Sequence, residues 1–161
     1  MKTADWIVRR AAPRDLESIL AIEQACAEAP HWSEAVWQAV LSEEEGSGTV
    51  RGSFVAEGGG GVVGFSVVSG ACAVGELESV AVAETVRRQG VGRALCIAAM
   101  DWARGRAAEG IEIEVRASSR GALALYRSLG FEERGMRRGY YRDPTEDAVL
   151  MSLELRGMGH S

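Results

Sequence analysis

The stretch Val86-Arg87-Arg88-Gln89-Gly90-Val91-Gly92-Arg93-Ala94-Leu95 decides how the rest of the chain is read. It follows Ser79-Val80-Ala81-Val82, the end of a strand-type run. It opens into an Ala-, Leu- and Met-rich segment, Val91 to about Ala108, that reads as a helix. The first turn of a helix carries N–H groups without intrahelical partners, and the macrodipole makes that end positive. Gly90 and Gly92 remove side chains that would hold a ligand away, and Arg87, Arg88 and Arg93 add local positive charge. The combination suits a phosphate or pyrophosphate. No Gly-Lys-Ser/Thr follows, so the stretch is not a Walker loop, and the third glycine of a dinucleotide fingerprint is missing.

Outward from this point the chain alternates between two periods. Before it, Trp6–Arg10 reads as a strand, and Pro13 suits a first helical position with Asp15 adding first-turn negative charge. Leu16, Ile19, Leu20 and Ile22 form a helical apolar stripe, and Ser33 can cap a second helix carrying Val36, Trp37, Val40 and Leu41. Ser53–Glu57, Gly61–Ser69 and Ala73–Val82 read as strands, with the glycines from 58 to 61 as a hairpin turn. After the helix, Ile111–Arg116 is a strand and Arg120–Leu129 a short helix with Gly130 as its left-handed C′ residue. Phe131–Met136 and Ala148–Leu155 close the pattern as strands. The order β-α-α-β-β-β-α-β-α-β-β predicts an α/β fold with helices on one mixed sheet. With 161 residues and no internal repeat or linker, the expectation is one domain over residues 1–156, with 157–161 as a frayed tail.

Apolar residues make up 47% and charged residues 25%, which fits a globular protein. The formal net charge of −5 argues against a duplex-binding module, so no nucleic-acid partner is expected. The opening Met1–Arg10 has no apolar signal core and no run approaches a membrane span, so the expectation is a cytoplasmic chain with no membrane partner. Cys26, Cys72 and Cys96 form no C-x-x-C pair and read as small hydrophobes in a reducing compartment. His31 and His160 lie far apart and nothing has zinc-ligand spacing, so no metal is expected.

Arg-x-x-Gly-x-Gly, after Val-Ala-Val and before an Ala/Leu helix, resembles the coenzyme A loop of the GCN5-related N-acetyltransferases. The resemblance runs from Trp6 to about Leu155. It implies the fold of that family: a mostly antiparallel sheet of six to seven strands flanked by about four helices. It also implies acetyl-CoA as cosubstrate. The pyrophosphate would rest on Arg87, Arg88, Gln89, Gly90, Val91, Gly92, Arg93 and Ala94. The pantetheine arm would run beside Ser79, Val80, Ala81 and Val82, where two strands splay apart.

Glu114-Val-Arg-Ala-Ser118, Ala124-Leu-Tyr-Arg-Ser-Leu-Gly-Phe131 and Arg137-Arg-Gly-Tyr-Tyr141 are similar, more narrowly, to the ribosomal-protein-alanine N-acetyltransferases. Those enzymes acetylate the N-terminal alanine of a small-subunit ribosomal protein. The segment His31–Trp37 resembles their Pro-Trp-Ser-Glu stretch near the substrate cleft, which makes Trp32 and Glu34 candidates for one wall. Two positions depart from the pattern. Ser119 stands where the relatives often have an Asn that helps hold the coenzyme arm. Ser79, near the acceptor, stands where they commonly have Asn.

Acetyl transfer to an amine needs a neutral nucleophile. An α-amine is roughly a fifth to a third neutral near pH 7.4, a lysine amine only about a thousandth. A carboxylate can take the remaining proton and a phenol can protonate the leaving thiolate. The resemblance gives Glu114 the first role and Tyr126 the second. Alternation puts Glu112, Glu114 and Arg116 on one face of their strand. Glu78 is a rival base; it shares a face with Glu76, Val80 and Val82 only if the strand has no bulge. Tyr140 and Tyr141 are candidates to clamp the acceptor. Glu76, Glu78, Glu84, Glu112 and Glu114 make the region acidic, which would favour a basic peptide. Three functions stay open: acetylation of a protein N-terminus, acetylation of a small-molecule amine, and coenzyme A binding without catalysis.

Overall fold

The computed structural model describes residues 6–26, 29–42, 50–70, 73–142 and 144–155. The tail from 157, His160 and Cys72 lie outside these residues. The elements are β1 (Trp6–Arg10), α1 (Leu16–Ala25), α2 (Glu34–Ser42), β2 (Arg51–Gly58), β3 (Gly61–Ser69), β4 (Val74–Val82), α3 (Val91–Gly105), β5 (Gly110–Arg116), α4 (Arg120–Ser128), β6 (Glu132–Tyr141) and β7 (Glu146–Glu154). Short 3₁₀ turns at Pro13–Asp15 and Glu84–Val86 precede α1 and the loop into α3. The strands form one seven-stranded sheet in the order β1-β2-β3-β4-β5-β7-β6. Every neighbouring pair is antiparallel except β4 and β5, which run parallel. The element order and mixed sheet are those read from the sequence.

Two cores flank the sheet. Val91, Leu95, Ala99 and Ala103 of α3, with Leu123 and Tyr126 of α4, pack on Phe54, Val68, Leu77, Ile111, Ile113, Val115 and Met151. The other face carries Ile19 and Ile22 of α1, with Trp37, Val40 and Leu41 of α2, over Val55, Phe65, Val67 and Ala81. Burying each Val, Leu, Ile, Phe or Met side chain among these contributes about 1.5–3 kcal/mol, so the two stripes fix which way the central strands face.

Local chemistry sets the junctions. Ser33 Oγ accepts the Val36 N–H at 3.3 Å and caps α2. Asp15 does more than add charge to a first turn. It accepts from Arg9 Nη1 and Nη2, both at 2.9 Å, and from the Ala12 N–H, so β1 and the start of α1 are tied together. Arg9 holds the Asp15 carboxyl below the usual carboxylate range. At the end of α4, Gly130 has φ +104°. Its N–H bonds Arg127 O and the Phe131 N–H bonds Tyr126 O, both at 3.0 Å, which is a Schellman motif. Phe131 then meets Tyr126 edge-on at 5.7 Å. The helix stop thus holds Tyr126 in place.

Two strands depart from expectation. The β6 strand runs on to Tyr141, five residues past Met136. The β4 strand has a bulge: Ser79 lies opposite Val67 and Leu77 opposite Val68, so Glu78 has no residue across from it. Leu77 therefore shares the α3 face with Val80 and Val82, and Glu78 lies off the alternation.

Candidate active site

The site starts from a failure of pairing. The β4 and β5 strands pair only at Val74 with Gly110, Gly75 with Ile111, and Glu76 with Glu112. Past Glu76 they separate, and the β4 main-chain groups that would have bonded β5 lose that partner. The gap opens a cavity of about 460 Å³. Leu77, Glu78, Ser79 and Val80 line it from β4, and Ile113, Glu114, Val115 and Arg116 line it from β5. Ser119, Ala122 and Tyr126 close it from the α4 side. Cys26, Ala29, Pro30 and Trp32 close it from the α1–α2 connection, and Tyr140 and Tyr141 from the end of β6. The cavity crosses the sheet, so Glu114 on one face and Tyr126 on the other reach the same space.

Glu114 is half-buried. Its Oε1 accepts the Tyr140 hydroxyl at 3.0 Å. Its Oε2 is buried, makes no hydrogen bond, and has Arg137 Nε at 3.5 Å. The bond to Glu114 is the main reason the Tyr140 hydroxyl titrates above the ordinary tyrosine range, with burial adding to it. Burial pushes Tyr141 up to about 12. Tyr126 is buried at the cavity wall.

Glu78 also lines the cavity, but its Oε1 takes Arg51 Nε at 2.7 Å. Both carboxylates are thus engaged through Oε1, Glu78 by a guanidinium and Glu114 by a phenol, with a longer contact from Arg137 to Glu114 Oε2. Glu76 is pushed above the usual carboxylate range, first by desolvation and then by Glu78, Glu114 and Glu112. Ser79 Oγ is buried with no hydrogen-bond partner and lines the cavity.

Beside the cavity lies the loop read first. Arg88 and Gly90 both have left-handed backbones, φ +66° and +84°. Such a sequence of conformations turns successive N–H groups toward one side. The amides of Val91, Gly92 and Arg93 precede the first bond of α3, as the opening turn of a helix requires. Arg87 and Arg88 are exposed. Arg93 Nη1 is 3.0 Å from Ser128 Oγ and ties α3 to α4. Nothing lies within 4 Å of where a Gly90 β-carbon would be, so its backbone angle is what demands glycine. Gly92 differs: a β-carbon there meets Leu125 and Val82 at 3.5 and 3.6 Å, so its bare side faces the space between β4 and α4. The cradle fits a diphosphate and the strip along Val80 and Val82 fits an extended arm. Ala81 points to the α1–α2 core. Ala94 N–H closes the first helical bond, to Gly90 O.

Trp32 is at the cavity because Glu23, fully buried, accepts its N–H at 2.9 Å and Trp37 Nε1 at 3.0 Å. Glu34 is not brought in. It is exposed on α2, accepts from Gln38, and does not line the cavity. Cys96 is buried in α3 with its thiol pushed up to about 12 by desolvation, which gives it no nucleophilic role. Sequence reasoning missed Arg51, whose pairing across 27 residues leaves no local signal. It also missed Glu146. That carboxylate accepts the Ser118 N–H and pairs with Arg116 at 3.5 Å, fixing the turn into α4.

Known proteins share this architecture. The crystal structure of the ribosomal-protein-S18-alanine N-acetyltransferase from Escherichia coli superposes with a TM-score of 0.77 at 32% identity, covering 93% of this chain and 94% of that one. Ard1 from Thermoplasma volcanium does so with a TM-score of 0.80 at 29% identity, covering 94% and 98%. In sequence, the [ribosomal protein bS18]-alanine N-acetyltransferase of Escherichia coli K12 is 44% identical over 81 residues, 49% of this chain. The N-alpha-acetyltransferase RimI of Mycobacterium tuberculosis is 41% identical over 76 residues, 47% of this chain. In these sequence matches the chain spans about half the length of the curated relatives, 55% and 46% respectively. The family model for the acetyltransferase (GNAT) family matches residues 16–131, and the chain belongs to that family.

Proposed function

We propose that the chain transfers an acetyl group from acetyl-coenzyme A to the N-terminal α-amine of a protein. An alanine-led, basic N-terminus such as that of a small-subunit ribosomal protein is the leading acceptor. The observation that carries this reading is the cavity through the β4–β5 gap, with Glu114 and Tyr126 on its wall beside the α3 cradle. Relatives named for alanine N-acetylation support the acceptor class. In the neighbouring groove Glu76, Glu112 and Glu114 outnumber Arg134 and Arg137, and this excess of carboxylates supports a basic chain following the amine.

The coenzyme supplies a thioester-activated acetyl group. The amides from residue 88 to 93 hold the diphosphate, with Arg87 and Arg88 adding charge. Val80, Val82 and Ser119 line the arm, and a β4 amide freed by the gap polarises the acetyl carbonyl. The acceptor sits against Trp32, Tyr140, Tyr141 and Ser79. Glu114 takes the amine proton as the N–C bond forms, and Tyr126 delivers a proton to sulfur as the C–S bond breaks. Glu78 serves structure through Arg51.

The test is acetyl-coenzyme A turnover with an alanine-led basic peptide, the same peptide N-terminally blocked, and a polyamine panel, read by mass spectrometry. Acetylation of the free peptide alone is expected. Turnover of polyamines alone would move the reading to a small-molecule acetyltransferase, for which Ser79 in place of Asn is the favouring residue. Tight coenzyme binding without any turnover would leave a binding protein.

A further inference from the structure

The Tyr140 hydroxyl reaches a carboxylate 26 residues away, and the backbone is built to send it there. The β6–β7 ladder shifts register at Arg134, pairs Gly135–Arg137 with Leu150–Ala148, then breaks again and resumes at Tyr141 opposite Glu146. Three residues on β6, Arg138 to Tyr140, therefore lie opposite one on β7, Asp147. Gly139 absorbs the excess with φ +61°, and its N–H is held by Asp147 Oδ1 at 2.9 Å. Tyr140 is then braced edge-on by Tyr141, ring centroids 5.1 Å apart. Tyr141 lies under the Arg116 guanidinium at 4.1 Å, and Arg116 pairs with Glu146. A half-exposed tyrosine held from both sides is an unusual expense of order for a surface side chain. What it gains is one hydrogen bond, to Glu114 Oε1.

A carboxylate acting as base needs one oxygen directed at the amine, and a freely rotating one presents either. Tyr140 occupies Oε1, and Oε2 is the oxygen left without a hydrogen bond. We propose that Tyr140 is a positioning residue that fixes the rotation of the Glu114 carboxylate at the cavity wall, where it takes the acceptor's proton. The Arg137 guanidinium, 3.5 Å from Oε2, restrains the other oxygen of the same carboxylate. The inference rests on the reading of Glu114 as the base and goes beyond a role for Tyr140 as a clamp on the peptide.

A double-mutant cycle on kcat separates the two roles. Tyr140→Phe should lower kcat on the order of 10- to 100-fold, as misplacement of a reacting group does, with little change in peptide KM. In the Glu114→Gln background the same change should cost nothing further. An equal loss in both backgrounds, or a loss confined to KM, would make Tyr140 a clamp and overturn the inference while leaving Glu114 in place. Full activity in Glu114→Gln alone would remove the base reading, and the inference with it. A second readout needs no turnover. Tyrosinate absorbance should show one of the three tyrosines ionising at lower pH in Glu114→Gln than in the parent. An unchanged titration would also overturn the proposal. Coenzyme A affinity, expected to be equal in all four proteins, checks that each is folded.

Discussion

On the α3 side of the cleft, from Arg87 to Ala94, the groups turned outward are main-chain amides. On the far side, from Glu114 to Tyr140, they are side chains held by other side chains. The first surface depends on backbone angles at Arg88 and Gly90 and on the start of one helix, all within eight residues. The second is assembled from β5, β6 and the α1–α2 connection, through bonds spanning 26 residues for Tyr140 to Glu114 and 9 for Trp32 to Glu23. On the proposed reading a local, backbone-built surface holds what is constant, the coenzyme. A long-range, side-chain-built surface can change its acceptor without disturbing the first. Substitutions on the two sides should therefore fail in different ways.

Tyr126→Phe should produce the larger failure. Removing a general acid costs about 100-fold or more in kcat. The ring, its contact with Phe131 and the Schellman stop remain, so coenzyme affinity should stay within about twofold of the parent. A fall in coenzyme affinity with kcat intact would mean that Tyr126 belongs to the first surface and would erase the contrast. Steady-state kinetics with each substrate varied in turn decides this.

Asp15→Asn should produce the smaller failure, in stability alone. The Arg9 pair lowers the Asp15 pKa in the folded chain. Its contribution is therefore fully present above the unfolded value, about pH 4, and is lost as pH falls through the depressed folded value. At pH 7 the variant should be about 2 kcal/mol less stable, the scale of a lost hydrogen bond to a charged group. That deficit should shrink below pH 4. Urea unfolding midpoints across pH measure it. A deficit growing toward low pH would contradict the sign.

The order of strands and helices was legible because each apolar stripe had one period. Leu16 to Ile22 repeats as a helix, and Ile111, Ile113 and Val115 alternate as a strand. The far half of β6 was not legible. Arg137-Arg138-Gly139-Tyr140-Tyr141 lies at the sheet edge, almost wholly exposed, so no buried face writes an alternation into it. The bulge at Glu78 was equally hidden, because Leu77 and Val80 look the same whether or not an extra residue lies between them. Glu114 and Tyr126 were found through resemblance. Their convergence depends on two strands parting, and no spacing in either strand encodes that. Glu34 shows the converse, since a matching segment brought Trp32 to the cavity while the helix turned Glu34 to solvent.

Calorimetric titration of coenzyme A into the parent protein and into Gly90→Val tests the main-chain grip most directly. Valine at φ +84° costs about 1–2 kcal/mol, so the loop should relax and the dissociation constant should rise about tenfold, with the circular dichroism of the free protein unchanged. Absence of binding to well-folded parent protein, or equal affinity in the two, would contradict the account.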